Sequence, residues 1–473
     1  MIILARELTP YDFGLLSITE VVLILISAFG TTGVPEYLLA YQGDDIEEIM
    51  QSTFWFILSI SFIIIALVLF LAPYWAVSNN DTRIIPIVFI LSGIFLFSQL
   101  QIIPKAIYSR KLDFAGLVKI QAPFIILIPL LKVVAALNGL GVYSLILPTL
   151  IFRPIETLIL YSKIKWKFSL NLLIYRWKEI FSFTKNLIGS TILSRLSTEG
   201  DKIILSKFLG LAELGVYNLA FQFSNIITSN LTSITNNILS SVLPKYREDI
   251  DLMRLHYFGF LKVIAFFVFP ILAIMGMVAT PLIEIVYSSK WVDSILPFQI
   301  LILYAIIRSV TTSFGSVMNT LHLPHIGFTV TFWYTPCHLI ASIIGAQYGI
   351  VGLAIGVVVV KYIFVYIGLI YETKALNTTV KNYLQNLQGV FFILLLSAIS
   401  SFASILILGN ILYGNNWVYL IVVSGIFSIT YLTLFRLIQV RELVIISGFL
   451  EKSISKLGTL FKRIFFLPKH NRV

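Results

Sequence analysis

The sequence has few of the residues on which soluble enzymes and metalloproteins depend. One cysteine, Cys337, occurs in 473 residues, which excludes internal disulfides and cysteine-based metal clusters. Charged residues make up 12% of the chain, whereas an ordinary soluble domain has about 25%. No GxxxxGK[ST] phosphate-binding loop occurs, so nucleotide hydrolysis by this chain is excluded. The closely spaced pairs His322/His325 and Cys337/His338 lack metal-ligand spacing on one face, so we expect neither a metal nor a cofactor.

The residues that are abundant are apolar. Hydrophobic residues make up 58% of the chain, and the mean hydropathy is +0.93. A spanning helix needs about 20 such residues, so the chain can hold well over ten spans and little else. Disordered, fibrous and soluble globular classes are therefore excluded. The net charge of +11 is typical of basic cytoplasmic loops and does not indicate a nucleic-acid partner.

Thirteen apolar stretches are predicted to cross the membrane as α-helices, joined by short connections. No connection has room for a soluble domain. The spans are 14–39, 54–76, 84–104, 115–137, 141–162, 182–208, 213–243, 257–280, 293–321, 326–347, 349–372, 388–409 and 415–437.

The distribution of Lys and Arg supports this count. Successive loops must alternate between the two sides of the membrane. If the basic loop 163–180 is cytoplasmic, twenty-one Lys and Arg fall on the cytoplasmic side and three on the other, namely Arg6, Arg83 and Lys290. One cytoplasmic loop, Asp44–Glu48, is acidic and carries no Lys or Arg. The same topology places the first residues outside, yet Met1–Ala5 resembles the end of an apolar helix. We therefore expect a fourteenth, truncated N-terminal span, the alternative being a start within that helix.

Two segments recur at nearly the same distance along the chain. Ala5–Ser17 aligns with Ser206–Asn218 at an offset of 201, and Leu140–Leu145 aligns with Tyr348–Leu353 at 208. The repeat predicts two related helical lobes. The predicted domains are an N-terminal lobe 1–162, a cytoplasmic linker 163–181, a C-terminal lobe 182–372, two further helices in 373–437 and a tail 438–473. The apolar face and basic remainder of 440–466 predict contact with anionic inner-leaflet lipids.

Four basic residues fall near the centres of predicted spans: Arg153, Arg195, Arg308 and Lys361. A central Lys or Arg costs roughly 2.5–3.5 kcal/mol on the insertion scale, so these residues should face a protein interior or a hydrated cavity. Arg153 and Lys361 are also related by the second repeat offset. The alternative is that each pairs with an acid and holds helices together, for which Glu156 and Glu199 are suitably spaced from Arg153 and Arg195.

Polar side chains form stripes along two predicted helices, which indicates a hydrated path, the alternative being hydrogen bonding between helices. The first stripe comprises Thr191, Arg195, Thr198, Glu199, Lys202 and Ser206, and the second comprises Asn218, Gln222, Asn225, Ser229, Thr232, Asn236 and Ser240. Acids in or beside spans could bind a proton or cation. The candidates for such ion coupling are Glu20, Glu156, Glu199 and Asp201.

Two of these segments, LARELTPYDFGLLS (4–17) and DKIILSKFLGLAELGVYNLAFQ (201–222), resemble the polysaccharide exporters of the MOP superfamily. That group includes Wzx-type O-antigen flippases and relatives for teichuronic acid and exopolysaccharides. The resemblance implies an all-α, multi-pass protein of the bacterial cytoplasmic membrane. It also implies fourteen helices in two six-helix lobes plus a final pair, of which thirteen are visible here.

The resemblance further implies a transporter, not an enzyme, that flips an undecaprenyl-pyrophosphate-linked oligosaccharide and is driven by an ion gradient. The substrate site would then comprise Arg153, Arg195, Lys202, Arg308, Lys361, Asn218, Gln222 and Asn225. Basic groups suit pyrophosphate, and amides suit sugars. Expected partners are the lipid-linked oligosaccharide, membrane lipids and other polysaccharide assembly proteins. The alternatives are a MATE-like small-molecule exporter, a membrane enzyme of polysaccharide assembly, and a membrane scaffold.

Overall fold

The computed structural model describes residues 2–28, 32–164, 166, 169–412 and 415–438. This part of the chain is built from helices and contains no strand, as predicted for an all-α protein. The α-helices are α1 Ile2–Glu7, α2 Pro10–Ser27, α3 Val34–Ala40, α4 Ile46–Ser78, α5 Ile84–Leu100, α6 Ile102–Arg110, α7 Phe114–Leu137, α8 Leu147–Lys163, α9 Trp177–Leu209, α10 Leu211–Val242, α11 Ile250–Met277, α12 Ala279–Val286, α13 Ile295–Thr311, α14 Phe314–Thr320, α15 Pro324–Ala346, α16 Gly349–Ala375, α17 Val380–Leu412 and α18 Asn416–Ile438.

Ten helical segments of the described chain are long and apolar enough to cross a membrane. The prediction of a multi-pass protein is therefore confirmed. Ten of the thirteen predicted spans are both long enough and apolar enough to cross a membrane. The other three predicted spans, 182–208, 213–243 and 326–347, coincide with the long helices α9, α10 and α15. The charges and amides of α9 and α10, which formed the predicted polar stripes, make these two helices more polar than a lipid-facing helix.

Packing divides the chain into two compact units. The first comprises Met1–Asn218 and Thr335–Leu353. There α2 packs against α4, α5 and α9, and α7 packs against α8. The second comprises Leu219–Tyr334 and the described residues from Ala354 onward. Its central helix α11 packs against α13, α17 and α18. The lobe boundaries drawn from the sequence repeat stay predictions.

The negative charge of the acidic loop Asp44–Glu48 is compensated by a basic residue of the linker that follows α8. Arg176 pairs with Asp45 and lies 3.7 Å from a carboxylate oxygen of Glu48. The Tyr41 hydroxyl donates a hydrogen bond to Asp45, and together with Arg176 this lowers the pKa of the Asp45 carboxyl. The loop therefore needs no basic residue of its own, since residues distant in sequence compensate its charge.

The two repeated glycines meet in a reciprocal contact within the first unit. A Cβ placed on Gly14 would lie 1.7 Å from the carbonyl oxygen of Leu211, and a Cβ on Gly215 would lie 1.8 Å from that of Pro10. Pro10 and Gly14 align with Leu211 and Gly215 at the offset of 201. The first turns of α2 and α10 therefore cross through equivalent atoms, and only glycine permits the backbones to approach this closely.

We expect Gly14→Ala and Gly215→Ala each to destabilise the protein by about 1–3 kcal/mol, because the added methyl group overlaps a backbone carbonyl that cannot move freely. The measurement is the thermal unfolding midpoint of the purified protein in detergent. Gly189→Ala is the matched control, since Gly189 lies within α9 with open space around it. Equal midpoints for all three variants would contradict the close crossing.

Candidate functional site

Two predicted site residues, Arg308 and Asn225, contact each other in the second unit. Arg308 on α13 donates from Nη1 to Oδ1 of Asn225 on α10 across 3.0 Å. Asn225 is buried, and its amide nitrogen donates to the carbonyl oxygen of Phe221 at 2.8 Å. That second bond directs the amide oxygen of Asn225 toward Arg308. Asn225 belongs to the polar stripe on α10 and is a neutral acceptor. Its hydrogen bond therefore holds the Arg308 guanidinium in place without compensating its positive charge.

Lys361 lies against two aromatic rings of the same unit. Its Nζ is 5.6 Å from the ring centroid of Tyr304 and 5.2 Å from that of Tyr334. These distances allow cation–π attraction, which stabilises an ammonium group without neutralising it. Tyr304 is one turn before Arg308 on α13. No ion pair found among the described side chains includes Arg308 or Lys361, so the second unit concentrates positive charge here.

A pocket with a volume of about 140 Å³ extends along α16 from Lys361. Lys361 and Glu372 both line it. They are eleven residues apart, which places them on one helix face about 16 Å from each other. The hydroxyl groups of Thr311 and Thr331 line the pocket as well. The arrangement can bind an anionic group at one end and hydrogen-bond a hydroxylated group along its length.

Glu372 is a site residue that the sequence analysis missed. Its side chain is buried, with 1% of the residue exposed, and it accepts a hydrogen bond from the Tyr257 hydroxyl. The Tyr257 oxygen lies 2.9 Å from Oγ of Ser313. The predicted span 349–372 ended at Glu372, which was not among the candidate residues. Because α16 continues to Ala375, the carboxyl group lies inside the helix bundle. An acid in the last turn of an apolar helix was the available signal.

In the first unit, Arg153 pairs with Glu156 on the same helix, α8, with 2.9 Å between Nη1 and Oε2. Glu156 is buried and also accepts a hydrogen bond from Gln121 on α7 at 3.0 Å. The structure therefore shows the ion pair that the sequence analysis gave as the alternative for Arg153. Glu156 links α7 to α8 and compensates the charge of Arg153.

A second ion pair lies on α9, where Lys202 Nζ is 2.7 Å from Oε2 of Glu199. The alternative pairing of Glu199 with Arg195 is wrong: Glu199 pairs one turn toward the C-terminus, and Arg195 is exposed on α9. Asp201 is buried and accepts a hydrogen bond of 2.7 Å from the Tyr217 hydroxyl. The polar stripe of α9 is thus largely satisfied within the first unit.

The remaining predicted residues occupy separate positions. Glu20 on α2 interacts electrostatically with Lys132 and Lys202. Asn218 is buried and Gln222 is exposed on α10. The side chains of Thr232 and Asn236 and the tail 440–466 lie outside the described residues. In the part of the chain that the structure covers, no three His, Cys, Asp or Glu side chains group to hold a metal ion.

Repeated helical motifs, many apolar spans and positive groups inside a bundle define a multi-pass membrane protein with a polar interior. Residues 3–296 match the family model described as "Polysaccharide biosynthesis protein". This match covers more than half of the chain, which therefore belongs to the polysaccharide biosynthesis protein family. A relative, "Lipopolysaccharide biosynthesis protein WzxC" of Escherichia coli (strain K12), is 23% identical over 88% of this chain and 84% of its own length.

Solved structures define the fold. A structure of the lipid II flippase MurJ in an inward closed conformation has a TM-score of 0.74 at 15% identity, covering 94% of this chain and 97% of its own. An inward-facing multidrug resistance MATE family transporter of the MOP superfamily has a TM-score of 0.62 at 14% identity, covering 80% and 93%. The predicted MOP-type fold is confirmed, as is a multi-pass protein of the bacterial cytoplasmic membrane.

We expect Glu156→Ala to destabilise the first unit strongly, because it leaves Arg153 without its carboxylate and Gln121 without its acceptor. Removing one partner of a buried pair costs roughly 3–5 kcal/mol. The thermal unfolding midpoint in detergent measures the effect. Glu47→Ala, which removes an exposed acid from α4, is the control and should change the midpoint little. A Glu156→Ala midpoint equal to that of the control would show that the pair does not stabilise the bundle.

Proposed function

We propose that this protein flips an undecaprenyl-pyrophosphate-linked oligosaccharide from the inner to the outer leaflet of the cytoplasmic membrane. The glycan would serve synthesis of an O-antigen, capsule, exopolysaccharide or teichuronic acid. The observation that carries the proposal is the pair of uncompensated cations, Arg308 and Lys361, in the second unit. Membership of the polysaccharide biosynthesis family and the fold shared with a lipid II flippase support it.

The chemistry of the site fits a phosphate-linked sugar. A guanidinium binds phosphate through two parallel donors, and an ammonium binds it as a compact charge. Arg308 and Lys361 supply one of each. Thr311 lines the adjoining pocket; its hydroxyl group donates to the carbonyl oxygen of Ile307, and its oxygen can accept a hydrogen bond from a sugar hydroxyl. Both parts of the substrate headgroup therefore find suitable partners within one unit.

The charge of the site also distinguishes this proposal from its main alternative. A small-molecule exporter of organic cations should present acids to its substrate, whereas Arg308 and Lys361 repel cations. The shared MATE fold does not decide between them, since fold alone does not specify the substrate. A membrane enzyme or a scaffold would give no saccharide movement in a transport assay.

We expect Arg308→Ala and Lys361→Ala to slow flipping at least tenfold. A hydrogen bond to a charged group contributes about 1.5–3 kcal/mol, which corresponds to a factor of ten or more. The measurement is movement of a labelled undecaprenyl-pyrophosphate oligosaccharide in proteoliposomes containing the full chain. Lys245→Ala is the control, because Lys245 is exposed and lies outside this site.

Two results would overturn different parts of this proposal. If the unmodified protein flips the saccharide and both variants match it, the assignment of the site is wrong. If the unmodified protein moves none of several glycans, the flippase function itself is wrong, and a scaffold or enzyme becomes the better explanation.

We further infer that flipping is coupled to an ion gradient, and that Glu372 joins Glu20, Glu156, Glu199 and Asp201 as a coupling candidate. Glu156 and Glu199 are held in ion pairs, so taking up a cation would break an existing contact. Glu372 instead has the Tyr257 hydroxyl as its partner. A buried carboxyl group in such surroundings can bind a proton or a small cation without losing an ion pair.

We expect Glu372→Gln to remove the acceleration of flipping by an imposed proton or sodium gradient. The amide oxygen can still accept from Tyr257, so the fold should persist. Flipping rates are compared with and without each gradient in proteoliposomes. Glu248→Gln, an exposed acid outside the pocket, should respond as the unmodified protein does. An unchanged gradient response in Glu372→Gln would exclude Glu372 from coupling.

A further inference from the structure

A second, larger cleft lies between α11 and α17 of the second unit, away from Lys361. It has a volume of about 550 Å³. Two basic residues, Arg254 and Lys262, line it together with amide side chains that include Asn382, Gln385 and Asn386. No acid is among the described residues that line it. The cleft therefore offers positive charge and many neutral hydrogen-bonding groups to one ligand.

The lining residues follow the helix geometry of both walls. Arg254 and Lys262 are eight residues apart on one face of α11, which separates them by about 12 Å along the axis. Asn382, Gln385 and Asn386 are spaced at three and four residues on the first turns of α17. The cleft thus runs lengthwise between two spanning helices. The cleft is therefore longer than the thickness of the headgroup layer of one leaflet, which is about 5–7 Å.

Several contacts fix Arg254 at the cleft. Arg254 Nη1 donates to the carbonyl oxygens of Leu376 and Asn377 at 3.1 and 3.0 Å, and its Nη2 lies 2.7 Å from an oxygen of Asp251. Arg254 is therefore held in place at the connection between α16 and α17, and its charge is shared with Asp251. Lys262, two turns further into α11, contributes the second positive charge of the cleft.

The distribution of charge assigns this end of the helices to the cytoplasm, since Arg254 and Lys381 belong to the loops predicted there. The cytoplasmic leaflet carries anionic lipids, and basic pockets between spanning helices on that side bind their headgroups. We propose that the cleft binds the headgroup of an anionic glycerophospholipid, with its phosphate at Lys262 and its hydroxyl groups at the amides of α17. This proposal is independent of the saccharide that the protein transports.

The test is native mass spectrometry of the delipidated full chain, titrated with phosphatidylglycerol or with phosphatidylethanolamine of the same acyl chains. We expect phosphatidylglycerol to bind more tightly. Lys262→Gln should weaken its binding about tenfold, or about 1.4 kcal/mol. Asn386→Leu should weaken binding as well, which provides a second variant if Lys262→Gln does not fold. Lys381→Gln is the matched control, because it removes the same charge from an exposed position on α17 outside the cleft lining.

Three outcomes would overturn the proposal. Equal binding of the two lipids would show that the cleft does not select an anionic headgroup. Equal losses in Lys262→Gln and Lys381→Gln would indicate attraction by the overall surface charge. Displacement of bound phosphatidylglycerol by stoichiometric undecaprenyl pyrophosphate, in the unmodified protein but not in Lys262→Gln, would assign the cleft to the transported lipid. None of these results depends on measuring transport, so a failure here is distinct from a failure of the flippase proposal.

Discussion

The structure depends on one constraint: a charge inside a lipid-spanning bundle must be compensated by the protein itself. The chain carries several such charges. Arg153, Arg308 and Lys361 lie against polar or aromatic neighbours, whereas Arg195 is exposed on α9. The two units meet this constraint differently. In the first, Arg153 and Lys202 have carboxylate partners, Glu156 and Glu199. In the second, Arg308 and Lys361 have an amide and two aromatic rings.

The two units therefore differ in how much positive charge they leave available to a ligand. Ion pairs stabilise a helix arrangement but leave little net charge for a ligand. An amide or an aromatic face stabilises a cation while leaving its charge available, as an anion-binding site requires. The same unit also contains Glu372, whose described partner is a hydroxyl group, so cationic and acidic functions lie along one face of α16. The proposed lipid cleft adds a third polar region to this unit, along the N-terminal half of α11.

Much of this organisation could be predicted from the sequence. Hydropathy located the spans, and the repeat correctly paired Gly14 with Gly215, whose contact is reciprocal in the structure. The stripe on α10 placed Asn225 among polar residues, and Arg308 was predicted from its position near the centre of a span. The two contact each other. Periodicity could not decide which acid pairs with which base. Glu199 pairs with Lys202 instead of Arg195 because rotamer and neighbouring helices, and not spacing alone, select the partner.

The sequence by itself determined that this is a multi-pass membrane protein with an all-helical fold. Composition and periodicity reflect the average surroundings of each residue. A lipid environment requires long apolar segments and an uneven distribution of Lys and Arg, and both are visible in the sequence. Only the tertiary structure decided that Arg176 compensates the acidic loop and that Glu372 lies buried beside Tyr257. Those contacts join residues more than one hundred positions apart, and their geometry arises from packing between helices that no local pattern records.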